Sequence, residues 1–176
     1  MPSEGLSTAT ETPRAIGASR QVRLRTVGDT KTWGARLGAL LEAGDLLVLT
    51  GQLGAGKTSL TQGIAQGLGV RGPITSPTFV IARVHPSLGG GPDLVHVDAY
   101  RLGGLGELDD LDLDTSLEGA VTVVEWGHDV AERLGEDYLE VTLGGRQTRT
   151  VDLVGHGGRW TGPRADAVLD DLVSLA

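Results

Sequence analysis

Cysteine is absent from the 176 residues, which excludes a disulfide framework and a thiol nucleophile. No apolar run approaches the roughly 18 residues that a membrane-spanning helix needs, so no membrane association is expected. Met1 to Ala18 is rich in Ser, Thr, Pro, Gly and Ala and holds no apolar stretch suited to a signal peptide. It reads as a flexible tail ahead of one domain over residues 19–176. Basic charge is scarce too: the net charge is −8, with no basic patch, so direct tight binding to nucleic acid is not expected. A reducing, cytoplasmic setting fits these absences.

The length suits one domain with a sizeable core, and 28 glycines point to many turns. Gln21 to Val27 alternates as an early strand with one wet face. An amphipathic helix follows, with Asp29 as its expected N-cap, Trp33 in its packing face, Leu37, Leu40 and Leu41 at helical spacing, and Gly44 as its stop. Leu46 to Thr50 is a continuous apolar run of the kind buried on both faces of a parallel sheet. Thr58 to Leu68 returns to helical spacing and ends at Gly69, a C-cap glycine.

Phe79 to Val84 and Leu94 to Val97 read as strands joined by the Pro- and Gly-rich connector Pro86 to Pro92, and Ala120 to Val124 as a short buried strand. Tyr138 to Leu143 and Thr148 to Val154 alternate around Gly144 and Gly145 as an antiparallel hairpin, and Ala165 to Leu175 closes the chain as a helix. The expected fold class is α/β: a single phosphate-loop domain with a mixed, mostly parallel sheet flanked by helices and an antiparallel C-terminal hairpin.

Between the buried strand and its helix lies Gly51-Gln52-Leu53-Gly54-Ala55-Gly56-Lys57-Thr58, which satisfies the phosphate-loop pattern of Gly, four residues, Gly, Lys and Ser or Thr. Glycines let the backbone curl so that its N–H groups face phosphate, and the helix start adds its positive dipole end. Residues Gly51, Leu53, Gly54, Ala55, Gly56, Lys57, Thr58 and Ser59 form the expected nucleotide contact. Lys57 would reach the β- and γ-phosphates, and the Thr58 hydroxyl would ligate magnesium. The chain has only two lysines, Lys31 and Lys57, so lysine in this slot goes against its own preference.

A phosphate-loop enzyme needs a carboxylate at the end of a neighbouring strand. Leu94-Val95-His96-Val97-Asp98 and Val121-Thr122-Val123-Val124-Glu125 each deliver one there, with a helix cap or a surface acid as the alternative reading. Thr75-Ser76-Pro77-Thr78 is a turn or a segment that senses the γ-phosphate. Glu107 to Asp114 reads as a solvated acidic stretch rather than a metal site. His85, His96, His128 and His156 lack zinc spacing and receive no role, and Trp126 could stack on a partner, cover the site or pack under the sheet edge.

Gly51 to Thr58, Thr75 to Phe79, His96-Val-Asp-Ala-Tyr-Arg-Leu102 and Glu125-Trp126, in this order and spacing, resemble the TsaE family of ATPases in tRNA threonylcarbamoyladenosine biosynthesis. The likeness runs from about Leu24 to Leu143. It implies a compact α/β ATPase that uses ATP and Mg2+ and acts with TsaB-like and TsaD-like proteins. It assigns Lys57 and Thr58 to phosphate and magnesium, Glu125 to the metal, Asp98 to assisting hydrolysis and Thr78 to the switch segment; Arg101 and Trp126 match family positions. Gln52, where the family often has an acid, and Gly127, where proline or a small residue is common, depart from it.

Other readings remain. A small-molecule kinase would need an Arg-rich lid, and the arginines are scattered; a guanine switch would use Asn-Lys-x-Asp, and the chain has no asparagine. An ATP-gated scaffold is compatible with the sequence. The segment beyond Leu143 carries no functional assignment.

Overall fold

The computed structural model describes residues 14–76, 82–99, 118–127, 131–145 and 148–174. Among these, the strands are β1 (Arg20–Leu24), β2 (Leu46–Gly51), β3 (Ala82–His85), β4 (Asp93–Asp98), β5 (Ala120–Glu125), β6 (Tyr138–Gly144) and β7 (Arg149–His156). The helices are α1 (Val27–Leu40), α2 (Lys57–Leu68), α3 (Ala131–Leu134) and α4 (Pro163–Ser174). Thr78, Phe79, Arg101, His128, the acidic stretch Glu107 to Asp114 and most of the expected tail lie outside the described residues.

All seven strands form one sheet in the order β1-β7-β6-β2-β5-β4-β3. Its centre, β6-β2-β5-β4, is parallel, while β3, β7 and β1 pair antiparallel at the two sides. Five strands thus share one direction, as expected for a mixed, mostly parallel sheet. The centre is apolar on both faces because both are covered: Leu47, Leu49, Val121 and Val123 join Leu60 and Ile64 of α2, and Val48, Val95, Val97 and Val124 form the opposite cluster. The C-terminal hairpin is no appendage, since β6 runs beside β2 along Leu47–Gly51. Part of the expected tail is also tied down: Gly17 N–H donates to the Gly155 carbonyl at 2.8 Å, and Gly157 N–H to that of Ala15 at 2.9 Å.

Two local expectations are corrected. The N-cap of α1 is Thr26, not Asp29; Asp29 is the third helical residue and completes a capping box. Its backbone N–H donates to Thr26 Oγ1 at 3.0 Å, and its carboxylate accepts from Thr26 N–H at 2.9 Å. This box also ends β1 at Leu24, before the expected Val27. Those bonds hold the Asp29 carboxyl below the usual aspartate range. Thr26→Ala is expected to destabilise the chain by about 1 kcal/mol and lower its melting temperature by about 2–4 °C, measurable by thermal unfolding.

The helix stops at Leu41 rather than Gly44. Asp45 makes the chain turn there, because its carboxylate accepts from Glu42 N–H at 2.8 Å while Arg159 grips both its oxygens at 2.9 Å. Gly44, at φ 92°, serves the turn into β2 instead.

Helices α1 and α2 approach through glycine. A Cβ on Gly38 would come 2.2 Å from the Ile64 carbonyl oxygen, one on Gly63 2.3 Å from that of Lys31, and one on Gly67 2.1 Å from that of Ala35. The backbones therefore touch, and α1 holds the helix that begins at Lys57. Trp33 fills the core beside this seam and donates from Nε1 to the Leu172 carbonyl at 3.2 Å, linking α1 to α4.

Candidate functional site

The phosphate loop leaves β2 at Gly51 and enters α2 at Lys57. Its turns need glycine: Gly51, Gly54 and Gly56 have φ of 142°, 78° and 102°, a region L side chains rarely adopt. Gly56 caps α2 without a side-chain hydrogen bond, so the N–H groups of the first turn are not claimed by a capping side chain. A Cβ on Gly54 would meet nothing within 4 Å, which leaves the loop backbone open to close approach. Thr58 and Ser59 follow in the first turn of α2, Ala55 is partly buried, and Leu53 projects at the loop tip, 92% exposed.

Lys57 is buried and turns back over the loop, with Nζ donating to the carbonyls of Gly51 at 2.8 Å and Gln52 at 3.0 Å. Burial pushes its ammonium below the usual lysine range, against the opposing pull of Glu125 and Asp98. The same ammonium lies 3.6 Å from the centre of the Trp126 ring. Trp126 is the sole non-glycine residue at positive φ among the described residues, at 63°, and its N–H donates to Leu49 C=O at 2.8 Å. Held there, the strand-end tryptophan lies against the phosphate-loop lysine, at the loop rather than packed away under the sheet edge.

The two acids meet as their strand positions suggest. Asp98 and Glu125 are partners in the β4–β5 register, Glu125 is also opposite Leu49 of β2, and both are buried. Glu125 Oε1 lies 3.4 Å from Thr58 Oγ1 and 3.4 Å from Thr61 Oγ1. A hydroxyl and a carboxylate beside an open phosphate loop are the hard oxygen donors magnesium takes when phosphate completes its shell. These residues fit a magnesium–triphosphate. Among the described residues no group of three histidine, cysteine or acidic side chains is placed to hold a metal ion.

A cavity of about 180 Å³ opens on the other side of the loop, lined by Arg25, Thr26, Gly54, Ala55, Gly145 and Arg149 among others. A larger one of about 720 Å³ runs along β1 and α1 and includes neither the phosphate loop nor the acids.

The sequence model of the family described as threonylcarbamoyl adenosine biosynthesis protein TsaE matches residues 24–151. The chain belongs to the TsaE family. It is 60% identical over 134 residues to the tRNA threonylcarbamoyladenosine biosynthesis protein TsaE of Streptomyces coelicolor, covering 72% of this chain and 90% of that one. The protein of the same name from Bacillus subtilis is 36% identical over 146 residues, covering 80% and 90%. The crystal structure of B. subtilis YdiB superposes with a TM-score of 0.69 at 28% identity, covering 90% of this chain and 96% of that one.

The TsaE match runs past Leu143 into β7, and there the structure places a residue that sequence reasoning left without a role. The Arg149 guanidinium lies against the loop: a Cβ on Gly56 would come 2.6 Å from its Cζ, and Nη1 donates to Thr30 Oγ1 at 2.7 Å. Only the long-range register of β6 and β7 brings it there, so no local signal could have found it. His96 was missed as well. It is fully buried and bonds Glu125 Oε1 through Nε2 at 2.8 Å. Its signal was present, since two residues before Asp98 on a strand means the same face.

Proposed function

We propose that this TsaE-family chain hydrolyses ATP in the biosynthesis of threonylcarbamoyladenosine in tRNA, in the cytoplasm and in complex with TsaB-like and TsaD-like partners. The observation that carries the reading is the convergence of Lys57, Thr58, Asp98 and Glu125 where β2, β5 and β4 end and α2 begins. Family membership supports the pathway. Open α/β sheets gather ligands at such strand ends.

The backbone N–H groups of residues 54–58 and the Lys57 ammonium bind the β- and γ-phosphates. Thr58 and Glu125 hold magnesium, which supplies charge neutralisation to the triphosphate. Asp98 accepts a hydrogen bond from the attacking water and orients it, while Trp126 shields Lys57 from solvent. With the acids marking the γ-phosphate end, the nucleoside lies toward the cavity beside Arg25 and Arg149. The acidic chain acts on the pathway without gripping tRNA tightly itself.

ATP turnover measured with and without the two partners tests this. The chain alone should turn over slowly and the partners should accelerate it; Asp98→Ala should then reduce the stimulated rate by about 10²–10⁴. Stimulated turnover unchanged in both Asp98→Ala and Glu125→Ala would remove the site from the reaction. Assembly driven equally by a non-hydrolysable analogue, with no partner-stimulated turnover, would favour an ATP-gated scaffold instead.

A further inference from the structure

We infer that His96 is a positioning residue: its Nε2–H holds Glu125 Oε1 and so fixes the carboxylate that faces the metal. This rests on the reading of Glu125 as a magnesium-associated acid. His96 lies on β4, fully buried, two residues before Asp98 and on the same face. Its Nε2 is 2.8 Å from Glu125 Oε1, whereas its Nδ1 is buried with no hydrogen-bond partner.

That asymmetry assigns the proton. A hydrogen on Nδ1 would be a buried donor without an acceptor, a worse loss than an unused lone pair, so Nε2 is the nitrogen that donates. Thr61 Oγ1, one helical turn beyond Thr58, approaches the same oxygen at 3.4 Å. All the hydrogen bonds of Glu125 fall on Oε1, and Oε2 accepts none among the described residues. One carboxylate oxygen is thereby anchored by strand and helix, and the other is left to coordinate.

Stability alone does not require this pair, because a buried charged pair can often be replaced whole by apolar side chains of similar size with little loss of stability. Residues that hold a metal-binding side chain instead change metal affinity or activity by about 10–100-fold when removed.

The test is ADP affinity by titration calorimetry on the full chain, with Mg2+ and with EDTA, alongside thermal unfolding. The parent chain should show tighter ADP binding with Mg2+. His96→Leu should lose that Mg2+-dependent gain by about 10–100-fold while its affinity in EDTA stays within two-fold. His96→Gln, whose amide N–H occupies the place of Nε2–H, should retain most of the gain. If His96→Leu does not fold, His96→Asn replaces it as the variant whose donor falls short.

Equal loss in the Gln and Leu (or Asn) variants, or a gain unchanged in Leu, overturns the positioning role. A parent chain that binds ADP with no Mg2+ effect overturns the metal reading of Glu125 itself, and the role of His96 with it.

Discussion

Lys57→Ala is expected to reduce ATP turnover by about 10²–10³ at saturating partner, the range for deleting one preorganised donor to developing charge. The ammonium is poised for that loss. It is buried, depressed in pKa by burial, and bonded to two carbonyls of its own loop. A triphosphate offers stronger, charged acceptors in the same place, so the interaction strengthens when phosphate binds. Because burying the ammonium opposes folding, alanine there should leave the melting temperature close to the parent's. Lost turnover with retained stability separates a functional lysine from a structural one; unchanged ATP affinity and turnover would make the loop irrelevant to the chemistry.

Gly38→Ala should have the largest effect on stability. Its methyl carbon would lie 2.2 Å from the Ile64 carbonyl oxygen and 3.0 Å from Ile64 Cα, backbone atoms that cannot rotate aside. Helix α2 must then move off α1, an overpacking penalty of about 1–3 kcal/mol or more. Improved helix propensity returns only about 1 kcal/mol. A net loss near 2 kcal/mol corresponds to a melting temperature lower by about 4–8 °C for a chain of this size. Since Lys57 begins α2, nucleotide affinity should fall too. Gly28→Ala is the control: at the exposed start of α1 a Cβ would meet only Thr26 Oγ1 at 3.5 Å, so stability should hold or rise by up to about 1 kcal/mol. Equal melting temperatures for the two variants would show that the seam tolerates a methyl group.

The elements nearest the site were the most legible in the sequence. Leu46 to Thr50 is apolar because β2 is covered on both faces, and the loop motif follows it directly, so strand, turn and helix could be read from one stretch. Asp98 and Glu125 were legible for the same reason, each ending an apolar run. Local chemistry misled at both ends of α1: Gly44 looked like its stop, but the Asp45 carboxylate turns the chain at Leu41, and at the start two residues could do one job. Thr26 and Asp29 are both N-cap types, and the Thr-x-x-Asp spacing that marks a capping box was the clue to their division of labour.

Long-range placement was not legible. That Arg149 lies on Gly56 depends on β6 pairing with β2 and β7 with β6, and no stretch of sequence encodes those neighbours. His96 was undervalued because a lone histidine in an apolar strand is ordinary; its meaning comes from the Glu125 carboxylate on the next strand. The backbone of Trp126 at φ 63° was likewise invisible, since tryptophan carries no preference for that conformation.

A crystal structure of the chain with a non-hydrolysable ATP analogue and Mg2+ tests the central claim most directly. The account predicts the triphosphate on the N–H groups of the loop, Lys57 Nζ moved from the Gly51 and Gln52 carbonyls to phosphate oxygens, and magnesium between Thr58 and Glu125. A nucleotide bound away from the loop, or one in the loop with Lys57 still on those carbonyls and Glu125 turned from the metal, would contradict it.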